Sequence, residues 1–553
     1  MKKYLYLTLL IFITLFKDIQ ISFAEEQNSE PVKIHQINNI NIKQLYMLGD
    51  YFYILDKEGA LYALSLGADK RFQPDETYGY TFTDYLSKKI NIPEPVYKID
   101  YMNNLALYAQ TQNGTIYSIK DYDYNKVNVI PAIIKKSFLG DNNYIITIDG
   151  AIYAWGNNTG GLLGIGKPNS TDIPTKLKIT EPVNDIIFAF DAYNSNTIKS
   201  IYALSDNGSL YSWGYNTYGE LFTGDTKERI SPVKIDFKEP IKRFQAINSF
   251  RYAITNSGSL YTNWDNIGIL KKVDILEKVK DVQYFEIGDT HYIRYAAILT
   301  ENGYIYIMHD PKNNEPQKTL KPIFKLKIDE PVNKIILNKT SLYAVTKTGI
   351  VYGWGENNYG QLLAGYNSQT ADYQYFLDVF NSNPVKTLLP ANVRDIIFIN
   401  GLYTNIYSIT NDGIVYSYGN NENGQLGVGD FKSDRITPSR VNIKEPIIKI
   451  ISDEKGSIFA LTNNKNLYVW GENSEGQLGI DSYEDINIPT KINISEPVKE
   501  LYYKDYFSVS QDNYFFALTE NNNLYVWGDG ATKLLEQQDD ILAPVKIINN
   551  KHN

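Results

Sequence analysis

The side chains able to do chemistry are few and far apart. The chain has no cysteine, which removes disulfides, thiolate nucleophiles and cysteine-held zinc, iron–sulfur or haem sites together. Its four histidines, His35, His291, His309 and His552, show none of the close spacings, such as i, i+4, by which imidazoles share a metal. No G-x-S-x-G elbow, P-loop, dinucleotide glycine loop or H-E-x-x-H helix occurs. Gly164-Ile165-Gly166 opens like a phosphate loop, but Asn169 stands where the third glycine belongs. Asp121-Tyr122-Asp123-Tyr124-Asn125 mimics the start of a calcium loop, yet Lys126 replaces glycine at the sixth place and Ala132 the closing glutamate. The Glu-Pro pairs at Glu94, Glu181, Glu239, Glu330, Glu445 and Glu496 recur with the scaffold, which suits caps of turns better than an acid and a base. The residues therefore predict no catalytic set, no metal and no cofactor.

What remains is aromatic. Among 46 Tyr and 23 Phe, one group lies in a long insertion from Gly365 to Pro384: Tyr366, Tyr373, Tyr375, Phe376 and Phe380. Secondary groups are Tyr78, Tyr80, Phe82 and Tyr85 in a first long loop, and Tyr122 and Tyr124 in a second. Aromatic rings on loops held by a rigid scaffold anchor protein partners. The competing reading has the same rings covering the outer strands of their own repeats.

The elements that would hold these loops come from a repeat. A strand ending in Ala-x-Thr or similar leads to an Asn-Gly or Asp-Gly turn, then an aliphatic-Tyr pair and an aromatic-Gly dipeptide. The tyrosine recurs at Tyr62, Tyr117, Tyr153, Tyr211, Tyr261, Tyr306, Tyr352, Tyr416, Tyr468 and Tyr525, giving ten units of about 51 residues. Residues 441–470 parse into Val441-Asn442-Ile443, then Ile447 to Ile451, Ser457 to Leu461 and Asn466 to Trp470. Asn463-Asn464 falls where a tight turn needs positive φ, which Gly208, Gly258, Gly303 and Gly413 supply in sister units. Repeated hairpins with period-2 alternation predict an antiparallel all-β array, and four-stranded units arranged radially make a β-propeller. Pro31-Val32-Lys33-Ile34 and Pro544-Val545-Lys546-Ile547 are versions of one strand, so the chain begins and ends in phase for a closed ring.

The best copies continue specifically. Trp470-Gly471-Glu472-Asn473-Ser474-Glu475-Gly476-Gln477-Leu478-Gly479, Tyr418-Gly419-Asn420-Asn421-Glu422-Asn423-Gly424-Gln425-Leu426-Gly427-Val428-Gly429-Asp430 and Trp354-Gly355-Glu356-Asn357-Asn358-Tyr359-Gly360-Gln361-Leu362 share one template. It resembles the repeat of the RCC1 (regulator of chromosome condensation) family of propellers, W-G-x-N-x-x-G-Q-L-G-x-G-D. Sharp copies start at Trp155, Trp213, Trp354, Tyr418 and Trp470. Leu64 to Gly67, Ile119 to Asp121 and Met308 to Asp310 depart from it, and Trp527-Gly528 lacks the Gln-Leu-Gly part. The resemblance implies an all-β RCC1-like propeller of four-stranded blades. Family rings usually have seven blades, and ten units leave an enlarged ring or a ring with extra units open. Trp155, Trp213, Trp354, Tyr418, Trp470 and Trp527 are assigned to the scaffold, where a large ring fills the space between blades.

Composition and the N-terminus choose among the functions this implies. Residues 1–24 read as an export signal: Lys2 and Lys3, an apolar run from Leu5 to Phe16, and small residues at Ser22 and Ala24. The run is too short to span a bilayer, so the chain is predicted to divide into a signal, 1–24, and an exported propeller, 25–553, secreted or held at the cell surface. Net charge is −9, and removing the segment with Lys2, Lys3, Lys17 and Asp18 leaves −11, which argues against nucleic acid. The resemblance then offers three classes. Nuclear members are guanine-nucleotide exchange factors for a small GTPase, which the signal and charge oppose. Exported bacterial relatives include the propeller-type β-lactamase inhibitors, which bind an enzyme through aromatic loops. A propeller-funnel enzyme of lyase or glycosidase type lacks a catalytic set here. The expectation is an exported, monomeric, non-enzymatic protein-binding propeller.

Overall fold

In the computed structural model, residues 23–24 and 40–548 are described apart from 49–50, 66–86, 104–105, 122, 130–133, 139–141, 191–197, 248–249, 264–267, 288–292, 310–323, 339–340, 356, 358–359, 366–382, 401–403, 433–434, 454, 505–513, 529–530 and 532–540. Ten four-stranded antiparallel sheets follow one another, each from four consecutive strands: blades 1 to 10 at 42–90, 96–129, 134–176, 183–234, 241–272, 279–325, 332–386, 393–440, 447–491 and 498–548. All ten sequence units are therefore blades of one enlarged ring. A two-residue strand, Phe23–Ala24, adds parallel to the third strand of blade 2.

Burial follows strand position. Second strands such as Ser341–Thr346, Ser457–Thr462 and Tyr514–Thr519 are buried at every residue, because both faces of each sheet meet a neighbouring blade. Fourth strands such as Arg229–Lys234 and Arg435–Arg440 are half-buried to exposed, with no residue fully buried. They are edge strands, and Pro174, Pro232, Pro438, Pro489 and Pro544 within them remove donors that could recruit another chain.

The hydrophobic cores lie between blades. Tyr144, Ile152 and Leu163 of blade 3 pack with Ile186, Ile201 and Trp213 of blade 4, and each later junction repeats the arrangement. The same kind of cluster closes the ring, joining Phe459 and Leu478 of blade 9, Phe515 and Trp527 of blade 10, and Ile42, Phe52 and Ile54 of blade 1. Phe52 stacks on Phe516 with ring centroids 4.4 Å apart, and Asn522 Nδ2 donates to Asn41 Oδ1 at 3.4 Å. Closure rests on side-chain packing, since the fourth strand of blade 10, Ile541–Ile548, comes from the C-terminal end and contains the Pro544 to Ile547 motif. The N-terminal version, 31–34, lies outside the described residues.

Two sequence expectations need correction. Val441 to Ile443 is not the first strand of blade 9: it follows the fourth strand of blade 8, and the fourth strand of blade 9 is Ile486–Lys491, paired through Tyr468 and Lys491. The signature loop reverses the chain, so the strand after it returns to its own blade. The positive φ of the blade 9 hairpin falls on Lys465 (φ 63), not on Asn463-Asn464; Gly413 (φ 79) occupies the equivalent place in blade 8.

First strands form the inner wall, for their side chains reach one another directly. Their third residues alternate in charge from blade 3 to blade 10: Lys136, Asp185, Arg243, Asp281, Lys334, Asp395, Lys449, Glu500. Lys136 meets Asp185 at 2.9 Å, Arg243 meets Asp281 at 2.6 Å and Lys334 meets Asp395 at 2.8 Å, each pair spanning two blades.

Candidate functional site

Antiparallel order puts the turns between second and third strands on one side of the ring, the turn side. The other two connections of each blade, signature loops included, lie on the opposite loop side. The long loops singled out in the sequence leave and return on that loop side, which makes it the candidate site.

Each signature loop is built around one buried asparagine. In blade 9 the Asn473 amide donates to Ser482 O at 2.8 Å and Glu484 O at 3.0 Å, and its Oδ1 accepts Leu478 N–H at 2.9 Å. Asn216 does the same with Asp225 O, Lys227 O and Leu221 N–H, and Asn158 and Asn421 repeat it. One amide thus satisfies backbone groups that a loop off the sheet would leave unpaired. The glutamine adds a second brace, Gln425 Oε1 accepting Asn423 N–H at 2.9 Å and Gln477 Oε1 accepting Glu475 N–H at 2.8 Å.

The next blade then clamps the loop. Gln425 O accepts the Tyr407 hydroxyl of its own blade at 2.5 Å and the Trp470 indole N–H of the following blade at 2.8 Å. Leu162 O is shared likewise by Tyr144 and Trp213. The indole lies against Gly427, where a Cβ would come within 2.8 Å of Trp470 Nε1. Beyond the tryptophan, Gly166 N–H reaches Ile230 O and Gly429 N–H reaches Asn487 O, tying the loop to the fourth strand of the next blade. Trp155, Trp213, Trp354, Tyr418, Trp470 and Trp527 are all buried.

Charges in these loops are spent on structure. Arg229 grips Asp225 and holds its carboxyl down at about 2, and Arg435 lowers Asp430 in the same way. Asp453 is the exception. Burial pushes it up to about 7, against the Ser457 hydroxyl and the backbone N–H groups of Ser457 and Lys455 that it accepts. Burial also raises nearby Glu472, which receives the Gln477 amide. No group of three or more acidic or histidine side chains placed to hold a metal occurs among the described residues.

Apolar side chains edge the loop side. Tyr218 is 75% exposed, Phe431 50% and Tyr483 46%, with Ile230, Ile436 and Ile488 open on the adjoining fourth strands. No sequence signal separated these from core positions, because they sit inside the scaffold repeat among residues of the same apolar types. Tyr366, Tyr373, Tyr375, Phe376 and Phe380, with Tyr78, Tyr80, Phe82, Tyr85 and Tyr122, lie outside the described residues. Tyr124 was expected in a loop, but it stands in the fourth strand of blade 2, Asp123–Val129, half-buried and edge-on to Tyr117 at 5.5 Å. The chain reverses within the Asp121–Asn125 run, from the third strand ending at Asp121 to the fourth starting at Asp123, with Lys120 facing Asp123.

Comparison with known proteins places the repeats. Residues 149–187, 207–248, 412–452 and 465–503 match the model of the "Regulator of chromosome condensation (RCC1) repeat". The chain is 25% identical over 301 residues to the Ultraviolet-B receptor UVR8 of Arabidopsis thaliana, covering 54% of this chain and 55% of that one. It is 24% identical over 351 residues to the mitochondrial RCC1 domain-containing protein RUG3 of the same plant, covering 63% and 67%. To the human X-linked retinitis pigmentosa GTPase regulator it is 31% identical over 205 residues, 36% of this chain and 18% of that protein. The chain thus spans about half of UVR8 and under a fifth of the GTPase regulator. Solved structures similar to it include human WBSCR16 (TM-score 0.34, 18% identity, 64% and 96% coverage) and Prp20p of Saccharomyces cerevisiae (TM-score 0.33, 19% identity, 73% and 87% coverage).

Proposed function

We propose that this ten-bladed RCC1-repeat propeller is an exported, non-enzymatic module that binds a protein partner through its loop side. The observation that carries the reading is a set of exposed rings and aliphatic side chains, Tyr218, Phe431, Tyr483, Ile436 and Ile488 among them, on loops braced by buried asparagines and clamped by the next blade. Anchors held this firmly lose little freedom on binding. Tyr366, Tyr373, Tyr375, Phe376 and Phe380 are the proposed principal anchors, since the connection that carries them leaves blade 7 on this side. Export rests on residues 1–24, whose charged start, short apolar run and small residues fit a cleaved signal; cleavage would also remove the Phe23–Ala24 strand. No helix among the described residues is long and apolar enough to cross a membrane. The proposed protein is a monomer that needs no cofactor; its strongly shifted carboxylates have partners within the scaffold, Lys234 for Glu181, Lys546 for Glu496, Arg229 for Asp225, and the Ser457 hydroxyl and turn backbone for Asp453.

The test is affinity capture with the purified chain from secreted and surface proteins, beside a variant with Tyr373, Tyr375 and Phe376 replaced by serine. The variant is expected to fold and to lose at least tenfold in affinity, because buried aromatic anchors are each worth about 2 kcal/mol or more. Unchanged affinity, or a variant that no longer folds, would refute the assignment of the loop. The human relative's name suggests a GTPase regulator instead. Accelerated nucleotide release from a captured GTPase would favour that reading.

A further inference from the structure

The turn-side mouth of the central channel carries a charge the whole chain conceals. In each first strand the opening residue is buried, and in blades 2 and 4 to 10 its N–H meets a turn carbonyl of the preceding blade, as Val96 does with Gly59 O at 2.8 Å and Ile447 with Gly413 O at 2.9 Å; in blade 3 Ile134 N–H instead donates to Gln110 Oε1 at 3.3 Å. The second residue therefore stands at the turn-side lip of the inner wall. Around the ring this position reads Lys43, Tyr97, Lys135, Asn184, Lys242, Lys280, Asn333, Arg394, Ile448 and Lys499: six cations and no acid, in a chain with 54 basic and 63 acidic residues. All are exposed except Arg394, which is half-buried. Lys43, Lys280 and Arg394 each lean over a backbone carbonyl of the next blade, at Tyr97, Asn333 and Ile448.

The cations fall in blades 1, 3, 5, 6, 8 and 10, so that never more than one blade separates neighbours around the lip. One step deeper, the alternating pairs Lys136–Asp185, Arg243–Asp281 and Lys334–Asp395 nearly cancel; Arg394 Nε also reaches Asp395 Oδ2 at 2.8 Å, so the five lysines carry most of the field of the lip. Two acids that precede first strands are drawn outward, Glu181 by Lys234 and Glu496 by Lys546, both lysines on fourth strands. A mouth lined by one sign of charge concentrates counter-ions.

We propose that this lip binds a flexible phosphate polymer, which follows the ring and meets the six cations in turn. A compact anion would reach only a fraction of charges spread around ten blades, whereas a chain can track all of them. Five of the six are lysines, which act as point charges without the planar geometry an arginine imposes and so tolerate a mobile ligand. The site is separate from the protein-binding loop side, so either can fail without the other.

The test is titration of the full chain with long-chain inorganic polyphosphate over a range of salt. Six contacts predict that log K falls with log salt at a slope of about −4, from about −0.7 per neutralised phosphate on a single chain. Replacing Lys43, Lys242, Lys280 and Lys499 together by glutamine should weaken binding at least tenfold and cut the slope to about a third. Replacing the outer lysines Lys176, Lys272, Lys325 and Lys491 should change it less than threefold. If the inner variant melts early, Lys242→Gln with Lys499→Gln is read instead, with about a third of the slope lost. Equal losses in the inner and outer variants, no binding at low salt, or equal binding of polyglutamate of matched charge would overturn the proposal.

Discussion

Gln425 O accepts two hydrogen bonds from two blades, and that arrangement makes a sharp prediction. Tyr407→Phe removes the 2.5 Å bond and leaves the 2.8 Å indole bond; Trp470→Phe does the reverse. Either single variant keeps the carbonyl paired. Tyr407→Phe should cost about 1 kcal/mol, the net worth of one hydrogen bond. Trp470→Phe should cost about 2 kcal/mol, because a fully buried indole is replaced by a smaller ring that leaves a void beside Gly427. In the double variant the buried carbonyl has neither partner, and an orphaned acceptor adds a desolvation penalty of about 1–3 kcal/mol that neither single change incurs. The double variant should therefore lose about 1 kcal/mol or more beyond the sum. Urea denaturation of the four proteins, followed by tryptophan fluorescence and by circular dichroism so that cooperativity is checked, measures the cycle. Additivity within about 0.3 kcal/mol would refute the claim that this carbonyl couples blades 8 and 9.

Three further outcomes follow from local geometry. Lys465→Gly should raise stability by a few tenths of a kcal/mol, since it relieves a left-handed residue at some entropic cost, whereas Gly413→Ala should lower it by more than 1 kcal/mol because its Cβ would lie 2.7 Å from Pro446 Cβ; thermal melts decide. Asp453 titrates near 7 when folded and near 3.9 when unfolded, so the folded state holds the proton more tightly and stability should fall as pH rises from about 4 to about 7. Asp453→Asn should flatten the melting temperature over that window and raise it at pH 8; an unchanged profile would count against burial of this carboxyl. Glu496 moves the other way: burial opposes ionisation, but Lys546, Asn523, Tyr525 and Thr519 outweigh it and hold the group at about 2. Its contribution is present above about pH 5 and lost on the way to pH 2, and Glu496→Gln should remove that acid-side loss at a cost of about 1–2 kcal/mol at neutral pH.

Within-blade order was legible because it is written at fixed spacing. The ten tyrosines mark ten third strands, and each faces a lysine or arginine of the fourth, as Tyr62 faces Lys89 and Tyr416 faces Arg440. Phase was harder. Val441 to Ile443 has the apolar alternation of a strand, and nothing local states that the signature loop sends the next strand back to its own blade. Lys465 was missed because asparagine ordinarily takes positive φ more readily, and only register fixes which turn residue must. The contacts that shape the candidate site join residues 45 to 51 apart, Gln425 with Trp470 and Leu162 with Trp213, and depend on how blades meet. The alternating inner belt escaped for the same reason: its partners touch only once the ring exists.

A protein partner is proposed to dock on the loop side. Hydrogen–deuterium exchange of the captured complex tests this docking directly. Protection is expected at the signature loops of blades 7 to 9 and in the 366–382 segment, with the turns at Gly208, Gly258, Gly303 and Gly413 unchanged. Protection confined to those turns, or a captured protein released as a chemically altered product, would contradict it.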